Sequence, residues 1–403
     1  MKKKSISIIL GLYSRYFSFR KNQQATVISS RTANCRCQLP LLLAVAALFT
    51  VSAVSFAGNE QRVGQAGACE LLINPWARSS GWGGANAGGV RGLEALNLNI
   101  AGTAFTKKTE IIFSHTNWLA GTGINMNAFG LSQKVGESGV LSLSLMNMDF
   151  GDIDITTVDI PEGDIGTFHP GYTNVAIAYA KEFSNSIYGG LVVKVINEKI
   201  ADLTASGICF DGGIQYLTGI GKNKLGKKIH DNIHFGISLK NWGTNMHFKG
   251  DGLSFRGTVP PNNIVMTVEQ RSADYDLPSL MMISGMFDFY LAQKVDTIAD
   301  KIKSDHRISI AANFTANSFT KDQFHVGLEY SFKEIVMIRG GYVYEKGINK
   351  YDTRTTAFTG PTVGVSVQIP LNKEKGSTFS IDYSYRDTNP FNGVHSIGAK
   401  ITL

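Results

Sequence analysis

From about residue 109 to the last residue, apolar and polar side chains alternate in stretches of eight to twelve residues, each closed by a turn signal. A period of two belongs to a strand with one face against an apolar medium. In the C-terminal third, Phe324, Val326, Leu328, Tyr330 and Phe332 share a face opposite His325, Gly327, Glu329 and Ser331. Val336, Ile338, Gly340, Tyr342 and Tyr344 alternate with Met337, Arg339 and Gly341, and Val363, Val365, Val367 and Ile369 with Gly364, Ser366 and Gln368. Phe379, Ile381, Tyr383 and Tyr385 alternate with Ser380, Asp382, Ser384 and Arg386.

A soluble sandwich would alternate too, but three features put lipid outside. The apolar faces end in aromatics, Tyr330 and Phe332, Tyr342 and Tyr344, Tyr383 and Tyr385, as girdles at a membrane interface require. Connections alternate between short and long, the habit of periplasmic turns and extracellular loops. The chain stops inside a strand, Ser396-Ile397-Gly398-Ala399-Lys400-Ile401-Thr402-Leu403, which resembles the terminal assembly signal of outer-membrane barrels in Gly398, Ile401 and Leu403. Leu403 stands where an aromatic is more usual.

Strands are expected to begin near 109, 123, 139, 172, 186, 206, 231, 277, 305, 322, 335, 360, 378 and 393. This gives the even number that a bacterial barrel with both ends in the periplasm needs. The segment from Ile264 to Val268 is a further candidate, but Pro260 and Pro261 precede it and Arg271 to Asp276 follow it, so it is assigned to one long loop, 243 to 276. Long connections at 151 to 171, 243 to 276 and 347 to 359 then fall on one side, and short ones at 136 to 138, 184 to 185 and 333 to 334 on the other. Over 291 to 304, Val295, Ile298, Ala299 and Ile302 share a helical face among charges, which predicts a short amphipathic periplasmic helix. Residues 58 to 108 are Gly-rich and lack an amphipathic period; fifty such residues are too many for a linker and are expected to fold into the lumen as a plug, with Arg78, Trp82, Asn97 and Asn99 among its residues. The expected fold is therefore all-β: a transmembrane outer-membrane antiparallel barrel of about fourteen strands (109 to 403), with an N-terminal lumenal plug (58 to 108) and one periplasmic helix.

Composition agrees with a folded β-protein: of 403 residues 18% are charged and 43% hydrophobic, with 43 Gly, 23 Phe and 14 Tyr. The formal charge of +7 is unevenly placed. Residues 1 to 57 hold eight basic residues and no acid, so the rest of the chain balances 31 basic residues against 32 acidic ones and gives no reason to expect nucleic acid. That basic stretch, an apolar run from Leu39 to Phe56, and Ser55-Phe56-Ala57 read as a secretory signal peptide. A membrane anchor fits less well, because the run is short and contains Pro40, Thr50, Ser52 and Ser55. Cys69 and Cys209 remain after export, either as a disulfide or as two thiols.

Little points to catalysis. Gly221-Lys222-Asn223-Lys224-Leu225-Gly226-Lys227-Lys228 matches a phosphate loop until its last position, where Lys228 cannot hold magnesium, and a strand rather than a helix follows. His230 and His234 have a helical metal spacing on what reads as a turn. The carboxylates Asp149, Asp152, Asp154, Asp159, Glu162 and Asp164 match no calcium loop and read as a solvated acidic surface. With no nucleophile elbow and no HExxH, neither an enzyme nor a cofactor is expected. On the assigned alternation, Glu329, Arg339, Asp382, Arg386 and Lys400 point inward, mixed in sign, as a salt-bridged lumen that holds the plug rather than a selectivity filter.

Placed on these elements, several motifs resemble the PorV/PorQ family of outer-membrane proteins, similar in fold to FadL-type channels. They are Ala77-Arg78-Ser79, Asn99-Ile100-Ala101-Gly102 (Asn-Pro-Ala-Gly in the family), Ser114-His115-Thr116-Asn117-Trp118-Leu119, Phe150-Gly151-Asp152, Glu198-Lys199-Ile200, Phe210-Asp211-Gly212-Gly213, Leu277-Pro278, Gly327-Leu328-Glu329-Tyr330 and Arg339-Gly340-Gly341-Tyr342. The resemblance implies a bacterial outer-membrane component of type IX secretion. Its partners would be secreted proteins, other secretion components of the outer membrane, and the surrounding lipid and lipopolysaccharide. In that role Trp242, Phe248, Phe255, Pro260 and Pro261 in and beside the long loop would anchor a partner. The alternative is a FadL-like passive channel for hydrophobic small molecules, with the plug as gate.

Overall fold

The computed structural model of the protein describes residue 58 and residues 60–403, apart from 223–225, 227–228, 262, 296–301 and 373–375. The signal peptide expected over 1 to 57 lies outside the described residues. Nineteen strands occur among the described residues. In chain order they are β1 Thr109–Asn117, β2 Asn125–Val135, β3 Gly139–Asp149, β4 Ile153–Asp154, β5 Thr167–Phe168, β6 Gly171–Ser184, β7 Ile187–Ile200, β8 Leu203–Thr218, β9 Ile233–Gly243 and β10 Phe248–Lys249. There follow β11 Ser254–Val259, β12 Ile264–Glu269, β13 Leu280–Val295, β14 Ile302–Asn317, β15 Gln323–Phe332, β16 Val336–Glu345, β17 Phe358–Asn372, β18 Ser377–Thr388 and β19 Val394–Thr402.

Fourteen of these form one antiparallel ring in sequence order, all except β4, β5 and β10 to β12. The ring closes where Glu110 to Asn117 of β1 pair with Thr402 back to His395 of β19, and Leu403 donates its backbone N–H to Thr109 O at 2.9 Å. Each of the fourteen strands starts within three residues of its expected position. Closure is what lets such a chain cross a membrane, because an open edge in lipid would leave backbone groups unpaired.

Burial follows the alternation. Phe324, Val326, Leu328, Tyr330 and Phe332 are exposed outward, while His325, Glu329 and Ser331 are buried in the lumen. Leu191 on β7 is 70% exposed and Ile338 on β16 is 56% exposed, an outer surface that water would not tolerate around a whole ring and that lipid covers. Tyr330 and Phe332 mark one end of this apolar band, and Tyr344 and Tyr383 the other. The protein is a bacterial outer-membrane barrel. The start of β1 and the end of β19 lie with the short turns on the periplasmic side, and the longer loops lie outside.

Two expectations change. The amphipathic helix placed over 291 to 304 is strand at both ends: β13 runs to Val295 and β14 begins at Ile302, paired with each other. Only 296–301 remain, and they lie outside the described residues. The antiparallel ladder between the two arms pairs the backbone groups that face each other, which outweighs the helical spacing of four apolar residues. Second, Ile264 to Glu269 is a strand, as its alternation suggested, but it pairs with β11 in a hairpin outside the barrel wall.

Candidate functional site

The lumen holds residues 60 to 105, built from short 3-10 turns and one α-helix, α1 Ala77–Gly81. Its fit depends on wall positions that lack a side chain. Gly327 and Gly341 face each other on β15 and β16. A Cβ on Gly327 would stand 2.6 Å from the Trp82 ring, and one on Gly341 would overlap the Trp82 carbonyl. The wall therefore carries a smooth lane into which the turn after α1 is pressed.

Charges fix the same segment. Arg78 donates through Nε to Asp382 Oδ1 at 3.0 Å and lies 3.8 Å from Glu94 Oε1, which also accepts from Lys400 Nζ at 3.2 Å. Arg339 Nε donates to Glu329 Oε2 at 2.9 Å, and Arg307 Nη2 to Glu329 Oε1 at 3.1 Å. The structure thus brings Arg78, Glu329, Arg339, Asp382 and Lys400 into neighbouring buried pairs. Arg386 stands apart, its guanidinium 3.8 Å over the Phe358 ring. Across the lumen Lys240 donates to Asn97 O at 2.5 Å and Asn97 Oδ1 at 3.1 Å, while Asn99 Nδ2 reaches the carbonyl of Ile214 at 3.0 Å. Lys240 and the next residue, Asn241, both point inward because β9 carries an extra residue opposite Asp211. Asn241 is left-handed at φ 58 and its N–H donates to Asp211 Oδ1 at 2.8 Å, while Lys194 pairs with Asp211 at 2.5 Å.

Glu94, Asp211 and the buried His234, whose Nε2 bonds Asp288 Oδ2 at 3.0 Å, are not among the expected lumenal charges; the sequence singles out His234 only for its spacing from His230 and Asp211 only within a motif. Inward parity on β8 and β9 pointed to Asp211 and His234; nothing in an aperiodic segment marks Glu94.

The two halves of the lumen differ. Strands β1 to β8 present Met126, Met146, Met148, Tyr172, Val192 and Ile196 to the plug residues Leu71, Trp76, Leu93 and Leu96. Strands β13 to β18 present mostly the charged and hydroxylic side chains above. At the outer mouth residue 58 and residues 60 to 74 lie beneath the loops. Arg62 pairs with Asp276 at 2.6 Å, the Tyr275 hydroxyl donates to Glu198 Oε2 at 2.7 Å, and Gly58 N donates to Asp322 Oδ2 at 2.8 Å. Burial, helped by the nearby Glu198 carboxylate, raises the Glu70 carboxyl above its ordinary value. Cys69 and Cys209 are free thiols, the first exposed and the second buried.

At the periplasmic end a cavity of about 350 Å3 opens between plug and wall, lined by Trp82, Asn86 and Glu94 on one side and by Asp231, His234, Asp288 and Glu334 on the other.

The proposed loop anchors divide. Trp242 is a wall residue at the outer end of β9, paired with Phe210 and 69% exposed on the outside of the barrel. An aromatic at that height serves the lipid interface, so its assignment to a loop surface is corrected. Phe248 is half-buried against Tyr275, ring centroids 5.9 Å apart, because β10 pairs along β8 where β9 has turned away. It belongs to the inner cluster and is not free for a partner. Phe255, Pro260 and Pro261 are exposed on the β11–β12 hairpin. Phe255, Gly257 and Val259 pair with Val268, Met266 and Ile264, so one face of the hairpin is wholly apolar. Among the acidic loop residues, Asp149 and Asp152 hold His169 at 2.9 and 3.0 Å, which raises the His169 ring above its usual value. No group of three metal-binding side chains occurs among the described residues.

No family model and no curated protein matches the chain. Among solved structures it is similar to the CymD monoaromatic hydrocarbon channel, with 10% identity, 82% of this chain and 97% of that one covered, and a TM-score of 0.44. Similar too are the Ralstonia pickettii toluene transporter TbuX (10%, 82% and 97%, 0.44) and a Pseudomonas aeruginosa FadL homologue (12%, 80% and 98%, 0.45). Strand pairing within the chain itself, not these likenesses, establishes the barrel.

Proposed function

We propose that the protein is a passive outer-membrane channel for small hydrophobic molecules, with the plug as its gate. The observation that carries this reading is the division of the lumen. A porin lumen is polar, whereas here the side formed by β1 to β8 presents to the plug an apolar cluster rich in methionine, a side chain that adapts to irregular apolar shapes. Uptake of a hydrophobic dye and of a sugar into liposomes tests it. Removing residues 77 to 102 should raise dye uptake well above that of the intact protein and of empty liposomes. Equal gains for sugar and dye would show a mere hole and defeat the reading.

A second reading is favoured by the β11–β12 hairpin, whose apolar face bears the exposed Phe255, Ile264 and Met266 outside the membrane. Together with the PorV/PorQ-like motifs, it supports a docking part in type IX secretion, with a secreted protein or another secretion component as partner. Deleting 254 to 269 should leave heat-modifiable mobility unchanged and abolish co-purification of such proteins from the native envelope. Unchanged co-purification would remove this reading.

A further inference from the structure

We propose that the outer wall of β1 and β2 thins the membrane beside it: the partner of this face is lipid, held there at about half the ordinary core thickness. Two hydrogen-bonded pairs on the outside of the barrel carry the inference. Near the periplasmic end Thr109 Oγ1 donates to Gln133 Oε1 at 2.6 Å, and near the outer end His115 Nδ1 bonds Asn127 Oδ1 at 2.9 Å. Each pair is directly opposed across the two strands, and only Ile111 with Leu131 and Phe113 with Phe129 lie between them on that face. All point away from the lumen, because the alternate residues Glu110, Ile112, Ser114 and Thr116 are buried.

The two polar pairs stand six residues apart on β1, about 20 Å along the strand and about 15 Å in membrane height at a tilt near 40°. All nine residues of β1 span only about 23 Å of height. A core of about 30 Å would therefore draw at least one of the pairs into hydrocarbon, where an amide or imidazole is costly to place. On β15 and β16, by contrast, five consecutive outward pairs, from Phe332 with Val336 to Phe324 with Tyr344, contain only aliphatic and aromatic residues and Gly340. These rows cover about 20 Å of height between their outermost Cα atoms, against about 5 Å on β1 and β2. The belt changes by steps. It has three pairs on β3 and β6, from Leu141 with Tyr179 to Leu145 with Val175, closed by Asn147 and Thr173, and three on β18 and β19, from Phe379 with Ile401 to Tyr383 with Ile397, closed by Tyr385 and His395. A taper from both sides towards β1 and β2 fits a bilayer, which thins gradually around a short apolar stretch, whereas a protein partner would leave an abrupt edge. The bracketing polar groups also bond each other across the strands, so they do not call for a partner's side chains.

Fluorescence quenching of the mature barrel in dioleoyl phosphatidylcholine vesicles tests this. An environment-sensitive thiol dye is attached to Asn127→Cys, Gln133→Cys, Phe129→Cys or Val326→Cys in a Cys69→Ser background, Cys209 being buried. All four positions face outward, so the plug is untouched, and heat-modifiable mobility of each labelled protein confirms a closed ring. With iodide on both sides of the membrane, the dyes at Asn127→Cys and Gln133→Cys should both be quenched several-fold more than the dye at Val326→Cys, with emission shifted to the red. The dye at Phe129→Cys should follow that at Val326→Cys and be quenched by nitroxide on the lipid chains. Iodide reaching only one of Asn127→Cys and Gln133→Cys, or neither, would show a core of full height and overturn the proposal. A dye at Phe129→Cys screened from both quenchers would show that a second copy of the chain covers the face, and would overturn it too.

Discussion

Arg78 on the plug and Asp382 on β18 lie 304 positions apart in the chain and meet at 3.0 Å through Nε and Oδ1. Both side chains are withdrawn from water, Asp382 almost wholly. Asp382 also accepts from the hydroxyls of Ser366 and Ser380, so its position is fixed from the wall side as well. Such a pair adds little over an apolar contact of the same shape, but it is expensive to break from one side.

Asp382→Asn should therefore loosen the plug more than Arg78 and Asp382 replaced together. Removing one partner of a buried pair costs about 3–5 kcal/mol, and the isosteric amide will recover part of that. The expected reading is a lower melting temperature of the plugged state by differential scanning fluorimetry, with the barrel still heat-modifiable. A double variant less stable than the single one would contradict it.

The glycine lane gives a steric counterpart. Gly341→Val puts a branched side chain where Trp82 carbonyl now lies, and no rotamer relieves a clash with backbone. The barrel should assemble while residues 77 to 105 become open to protease in outer-membrane preparations. Protection equal to that of the parent would show that the plug can shift along the wall at little cost.

Glu70 makes the outer mouth sensitive to pH. Its folded-state value is raised, mainly by burial, so its contribution to holding residues 60 to 74 is complete below the ordinary carboxyl value and is lost as pH climbs through the raised one. Hydrogen exchange over 60 to 74, corrected for intrinsic rates, should therefore be faster at about pH 8 than at about pH 5. Glu70→Gln should flatten the difference. A Glu70→Gln protein with the full pH dependence would assign it to another group.

Deleting Ile401 to Leu403 removes the pairs Ile111 with Ile401 and Glu110 with Thr402 and the Leu403 N–H to Thr109 bond. Backbone groups on β1 and on β18 would then face lipid at several kcal/mol each (roughly, from polar-group transfer costs). Heat-modifiable barrel should disappear from the outer membrane. Normal mobility of the shortened protein would mean that the remaining pairs suffice to close the ring.

The sequence by itself determined the wall. Alternation such as Phe324, Val326, Leu328 against His325, Glu329 places each side chain on lipid or lumen, because a strand has two faces and a shift of one residue would exchange them all. The even strand count and the pairing of a terminal strand with the first follow from the same local signals. Tertiary structure alone decided what the inward residues meet. No period leads from Arg78 to Asp382 or from Lys240 to Asn97, since an aperiodic plug finds its partners only inside a finished ring. It also decided the local departures: the extra residue in β9 that turns Asn241 inward, the strand extensions that replace the helix at 291 to 304, and the seating of Phe248 against Tyr275. Each arises where a backbone hydrogen bond or a buried contact between distant segments outweighs the preference of a short stretch of sequence, and such a balance is set only when both segments are in place.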